Sequence, residues 1–205
     1  MKIETKSCRV CGKEKLNEEF EVDKRIKSGD QRTNRCYACK YEATLKYRAT
    51  RTGKISRKLE NAKQRAKRFG VVDDLTITEV KEVVGYFEDA CVYCGEELED
   101  DIVLEHVRSF SEDGPNSKGN IVISCDPCNR KKNNLPLIDF HYRNNESFTK
   151  ERFFALVDYL AEINCTDRWN VVDDLTAHKT DFTLRKVRTA LDKYYKEGVA
   201  NGLRG

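Results

Sequence analysis

No run of about 18 apolar residues occurs in this 205-residue chain, so no membrane-spanning helix is expected. The opening residues, MKIETKSCRV, lack the apolar core of a secretory signal. Apolar residues make up only 39% of the chain against 36% charged, and mean hydropathy is -0.73. A chain of this length can bury one core or two small ones. With so little apolar material, metal staples are the expected supplement. Histidine is also scarce. Any imidazole chemistry must fall on His106, His141 or His178.

Net charge is slight, at +3, but it is unevenly spread. Residues 1–70 hold 21 Lys/Arg against 9 Asp/Glu, whereas residues 71–205 hold 17 against 26. A basic first part joined to an acidic second part suggests that the first meets a polyanion. The nine cysteines are not a disulfide framework. Eight of them fall in Cys-x-x-Cys pairs, which favours zinc in a reducing compartment, the cytoplasm. Cys165 is left over in an apolar helical stretch and is expected to be a small buried hydrophobe.

The first four-cysteine set is Cys8, Cys11, Cys36 and Cys39. The stretch between the pairs has a turn signal at Ser28-Gly29-Asp30. A zinc ribbon is expected over 1–48: two knuckles and a short hairpin, with Leu16, Phe20, Val22 and Ile26 as its minor core. A basic helical linker follows over 49–70, with a break near Thr52-Gly53. Ile55, Leu59, Ala62, Ala66 and Phe69 form one apolar stripe. Arg57, Lys58, Lys63, Arg65, Lys67 and Arg68 lie mostly off it. Gly70 is expected to cap that helix in the left-handed conformation. Thr76-x-x-Glu79 is a capping box for a helix over roughly 77–89, with Val80, Val83, Val84 and Phe87 as its buried stripe. Residues 68–76 are echoed at 168–176, so Gly70 and Asn170 are both expected to be left-handed connectors. Further helices are expected over about 150–163 and 182–197, the second closed by Gly198.

The stretch Cys91–Lys132 brings the rest together. Cys91/Cys94 and Cys125/Cys128 can close a second four-thiolate zinc site. Between the pairs, Ile102–Glu105 and Asn120–Ser124 read as short strands joined by a long loop. Pro127 suits the first turn of a helix running through Asn129 and Lys132. A zinc ion there would hold Glu105, His106, Asn120 and Asn129 near one another.

These residues, Leu104-Glu105-His106-Val107, Gly114, Asn120-Ile121-Val122 and Cys125-x-x-Cys128-Asn129-x-x-Lys132, resemble the HNH nuclease family in its zinc-bracketed ββα-metal form. The resemblance covers about a fifth of the chain. The acidic position is Glu105 where the family more often has Asp. The third named position is Asn129 in place of His. Ribbon-like modules similar to the first set precede nuclease domains in many phage proteins of this family.

The resemblance implies an α+β chain of small zinc-bound modules, with a nuclease domain over 71–140 and a helical region over 141–205. It implies a metal-dependent DNA endonuclease of phage homing or restriction type, acting on double-stranded DNA. Glu105 and Asn129 would hold a catalytic divalent metal through oxygen, which suits Mg or Mn better than zinc. His106 would be the general base, since an imidazole near its ordinary pKa suits that task. Asn120 would tether the loop and orient His106. Arg130 or Lys132 would grip a flanking phosphate, and the basic run of 49–70 would contact the DNA backbone. His141 and His178 lie outside the series and read as structural. Two other readings stay open: a DNA-binding or assembly factor whose nuclease domain is inactive, and a protein that acts on RNA.

Overall fold

The computed structural model describes residues 4–27, 29–99 and 102–200, with side chains as far as 197. Ser28, the first residue of the expected turn, lies outside the described residues. The fold is α+β, with three two-stranded sheets and seven helices among the described residues. It divides into two compact units, Met1–Lys54 and Ile55–Gly205.

The first unit is two hairpins and a helix. Strands β1 (Thr5–Ser7) and β2 (Glu14–Leu16) pair antiparallel, as do β3 (Phe20–Val22) and β4 (Arg32–Cys36). Helix α1 (Tyr37–Ala49) follows β4 directly. Lys6 staples the two hairpins: its Nζ reaches Asp30 Oδ1 at 3.1 Å and the Arg32 carbonyl at 2.8 Å. The core is smaller than expected. Phe20 is fully buried beside Cys8 and Cys36, but Leu16 and Val22 are about half exposed and Ile26 is only partly covered. Strands of three to five residues cannot enclose four large side chains, so the cysteine cluster serves as the centre of this unit.

Helix α2 (Arg51–Phe69) starts after Thr50, whose N–H caps back to the Tyr47 carbonyl at 3.0 Å. The break therefore falls at Thr50, and Gly53 lies inside the new helix. From Ile55 onward α2 belongs to the second unit, where Ile55, Leu59, Ala62 and Ala66 are buried. Phe69, last of the stripe, stays half exposed. Gly70 has φ +71° and ends the helix. Its N–H donates to the Lys67 carbonyl, and that of Val71 donates to Ala66, the paired bonds of a Schellman cap.

The second unit is built around the hairpin of β5 (Val103–His106) and β6 (Ile121–Ser124), with His106 opposite Ile121. All four β6 residues are buried. Helix α3 (Ile77–Tyr86) begins at the Thr76/Glu79 capping box and buries Val80, Val83 and Val84. It stops short of residue 89, because Glu88 and Asp89 turn left-handed before Cys91. Helix α4 (Asp126–Lys132) starts with Pro127 in its first turn. Helices α5 (Leu137–Arg143), α6 (Lys150–Ile163) and α7 (Arg168–Ala200) complete the unit. Leu156, Leu160, Val171 and Leu175 share one core with Ile121 and Ile123. The C-terminal helices therefore buttress the hairpin.

Three expectations near the C-terminus are corrected. Cys165 is exposed, with φ +51°, and it is the left-handed residue that ends α6. Its N–H donates to the Glu162 carbonyl and that of Thr166 to Ala161, again a Schellman pair. Asn170 is helical, not left-handed. Asp167 Oδ1 accepts from the N–H groups of Trp169 and Asn170 and so starts α7 where the echoed segment ends a helix. Gly198 closes nothing, for α7 runs through it to Ala200.

Candidate active site

Both cysteine sets converge. In each, the four Sγ atoms lie within 4.8 Å of one another. Four sulfurs about 2.3 Å from a central zinc would sit about 3.8 Å apart. Cys94 and Cys125 sulfurs are 3.8 Å apart, and those of Cys8 and Cys39 are 3.9 Å apart. Backbone N–H groups of Val10 and Cys36 point at Cys8 Sγ, each at 3.4 Å. The Cys36 N–H is the main reason the Cys8 thiol is drawn down to about 6. Burial pushes Cys91 up to about 11, and burial followed by neighbouring thiols pushes Cys128 far up. Four thiols this close do not all ionise unaided, so the donor set fits a soft divalent cation such as zinc. No open position remains for catalysis.

The second cluster pins the start of the knuckle before β5 to the start of α4. This brings Glu105 and His106, at the end of β5, into one cleft with Asn129 of α4. The cleft holds about 480 Å³ and is also lined by Arg65, Phe110 and Arg130. Glu105 is buried, and its carboxyl is raised first by that burial and held back by Lys132. Its Oε1 lies 2.7 Å from Lys132 Nζ. A carboxylate and an amide oxygen on one wall are hard donors, and they fit magnesium or manganese. Water and phosphate oxygens would complete such a shell.

Lys132 requires a correction. Its side chain is completely buried, and Nζ also donates to the His106 carbonyl at 2.9 Å. From there it cannot reach a phosphate in solvent. It is the counter-ion of Glu105 and a brace for the backbone of His106. Arg130 is exposed on the cleft rim, paired with Asp126.

Asn120 ties the long loop at both ends. Its Oδ1 accepts from the Arg108 N–H at 2.8 Å, and its Nδ2 donates to the carbonyls of Arg108 at 2.9 Å and Pro115 at 2.7 Å. Gly114 lets the loop close, since a Cβ there would stand 1.9 Å from the Arg108 carbonyl oxygen. The ring of His106 is met by a different residue. His106 Nε2 lies 3.0 Å from Asn116 Oδ1, and Asn116 Nδ2 donates to Asp73 Oδ1 at 2.7 Å. Sequence reasoning missed both residues, because Asp73 lies before α3 and Asn116 reads as a loop polar. Burial pulls the His106 ring down to about 4, with the Asn116 bond acting the other way. Phe110 covers the ring at 4.1 Å.

The remaining candidates are spread along α2. Arg57, Arg65, Lys67 and Arg68 are exposed, while Lys58 and Lys63 are partly covered. Lys63 is 3.5 Å from Asp73, and Arg65 lies over the Phe110 ring at 5.3 Å. His141 Nδ1 is 2.8 Å from the Phe148 carbonyl, and its ring stacks on Phe153. His178 is buried 3.9 Å from Glu112. Neither of these two histidines lines the cleft.

Residues 91–135 match the family model described as HNH endonuclease. A curated relative is the SPbeta prophage-derived protein YoqL of Bacillus subtilis (strain 168), itself provisionally named an HNH endonuclease. The two are 26% identical over 84 residues, a match covering 37% of this chain and 36% of YoqL. The chain thus spans about a third of the length of that relative. Among the described residues no helix is long and apolar enough to cross a membrane. The segment that carries Glu105, His106, Asn120 and Asn129, bracketed by its own four cysteines, is therefore the part of the chain that is similar to HNH endonucleases.

Proposed function

We propose that the protein is a metal-dependent endonuclease that hydrolyses phosphodiester bonds in double-stranded DNA. The observation that carries this reading is the single cleft in which His106, Glu105 and Asn129 meet. Phosphodiester hydrolysis needs an activated water, neutralisation of charge at the phosphoryl group and stabilisation of the leaving oxygen. Glu105 and Asn129 would hold a divalent cation, which when bound would supply the last two. His106 takes the proton from the attacking water. Burial draws its ring down to about 4, so it is neutral above that pH with a free lone pair, and it is a weaker base than the ordinary imidazole expected from the sequence. Lys132, 2.7 Å from Glu105, opposes the burial that raises this carboxyl and so favours the ionised form a cation needs. Arg65 and Arg130 line the cleft and would hold the flanking phosphates. The exposed cations of α2 extend that positive surface along the duplex.

With one such cleft among the described residues, a single chain would cut one strand per encounter. Supercoiled plasmid incubated with the protein and magnesium or manganese is expected to become open circle before it becomes linear, and EDTA is expected to stop the reaction. An intact plasmid that is nonetheless bound would favour the binding or assembly factor. Cleavage of single-stranded RNA in preference to the duplex would reassign the substrate.

A further inference from the structure

We infer that Asp73 and Asn116 are positioning residues that fix the tautomer of His106, leaving Nδ1 as the nitrogen that accepts the proton. Asp73 lies outside the stretch that matches the family model. The inference rests on His106 being the general base, and its first measurement is independent of that role.

The ionised side chain of Asp73 can only accept hydrogen bonds. The Asn116 amide must therefore turn its NH2 toward Asp73, where Nδ2 donates to Oδ1 at 2.7 Å. This settles which amide atom is which from chemistry, not from atom labels. The other end of the amide, Oδ1, then faces His106 Nε2 at 3.0 Å. An amide oxygen only accepts, so Nε2 must carry hydrogen. In a neutral ring that leaves the lone pair on Nδ1.

Asn116 cannot relax out of this arrangement cheaply. It is completely buried. Its N–H donates to the Val72 carbonyl at 2.8 Å, and its carbonyl accepts from the Leu75 N–H at 3.0 Å. It also forms an isolated β-bridge with Asp73 itself. The segment between Gly70 and α3 therefore grips the catalytic loop at one residue, and that residue holds the ring. Asp73 keeps some exposure to solvent and has Lys63 at 3.5 Å. When Nδ1 forms its bond to the water proton, the O–H bond breaks and the electron pair stays on the attacking oxygen. The ring becomes a cation that still donates from Nε2, and the Asp73 charge lies two hydrogen bonds away to offset it.

Long-range 1H–15N spectra of the zinc-loaded protein, with no magnesium or manganese added, read the tautomer directly. The His106 resonances are identified by their loss in His106→Ala. The wild-type ring is expected to carry its proton on Nε2, and a proton on Nδ1 would overturn the inference whether or not the protein cleaves DNA. Asp73→Ala is expected to mix the tautomers and to lower kcat about 10- to 100-fold, the scale seen when a metal-bound imidazole loses its orienting partner, with little change in KM. The reciprocal swap, Asp73→Asn with Asn116→Asp, keeps both hydrogen bonds and is expected to restore the Nε2–H form and most of the rate. A wild-type tautomer and rate in Asp73→Ala would also overturn it.

Discussion

Two buried charges decide how the site holds together at the scale of single residues. Lys132 lies between Glu105 and the His106 carbonyl, wholly out of water. Replacing it by Met would leave the Glu105 carboxylate buried without a partner. Breaking a buried pair from one side typically costs about 3–5 kcal/mol. Lys132→Met is expected to lose stability on that scale in urea denaturation, and Lys132→Met with Glu105→Leu is expected to recover part of it. A loss of less than about 1 kcal/mol in the single variant would mean the pair is not carrying charge. His178 gives the second prediction. Burial, then Arg108, Lys132 and Arg185, pull its ring down to about 4, against Asp174. Above pH 6.5 the ring is neutral in both folded and unfolded chains. Between pH 6.5 and 4 only the unfolded chain takes up the proton, so stability falls, by on the order of 2–3 kcal/mol in all. Below about pH 4 both forms are charged and this loss stops growing. His178→Leu is expected to flatten that acid limb, and an unchanged limb would assign it to other groups. The sequence marked Glu105, His106, Asn120 and Asn129 because their order is a motif. It hid Lys132's true role, since a lysine after a helical asparagine looks solvent-facing until packing turns it inward.

Local chemistry explains which elements were legible. The Thr76/Glu79 box, Pro127 and Gly70 each act through neighbouring backbone, and each stands where its residue type predicts. The echo at 168–176 misled because the residue before it differs. Lys67 ends a helix, whereas Asp167 starts one. Cys165 misled because a non-glycine left-handed cap leaves no mark in composition. The basic character of α2 was legible, but its packing was only half so. Its stripe is built into the second unit's core from Ile55 on, which presents Arg57, Arg65, Lys67 and Arg68 on the outer side. Changing those four to Gln is expected to lower the log-log salt slope of DNA binding by about 0.9 for each phosphate they neutralise in the wild type. An unchanged slope would make them a solvated helix face.

For the whole molecule, little apolar material is divided between two units, and each has a four-cysteine cluster. Elemental analysis is expected to find two zinc ions per chain, and one or none after gentle purification would contradict the donor geometry. Cys125→Ala is expected to unfold the catalytic region, as structural zinc contributes on the order of 10 kcal/mol. The two clusters were legible from spacing alone. The joining of α6 and α7 to the core behind the β5–β6 hairpin was not, because it depends on side chains meeting across long sequence distances. Conversion of supercoiled to open-circle plasmid by site variants tests most directly whether His106 is the base in a cleft where Glu105 and Asn129 hold the metal. His106→Ala is expected to lose about 100- to 10,000-fold in rate while keeping fold, zinc and DNA binding, with little rescue by added manganese. Glu105→Ala and Asn129→Ala are expected to be rescued in part by manganese. Near-normal cleavage by His106→Ala, freed of contaminating nuclease, would contradict the assignment.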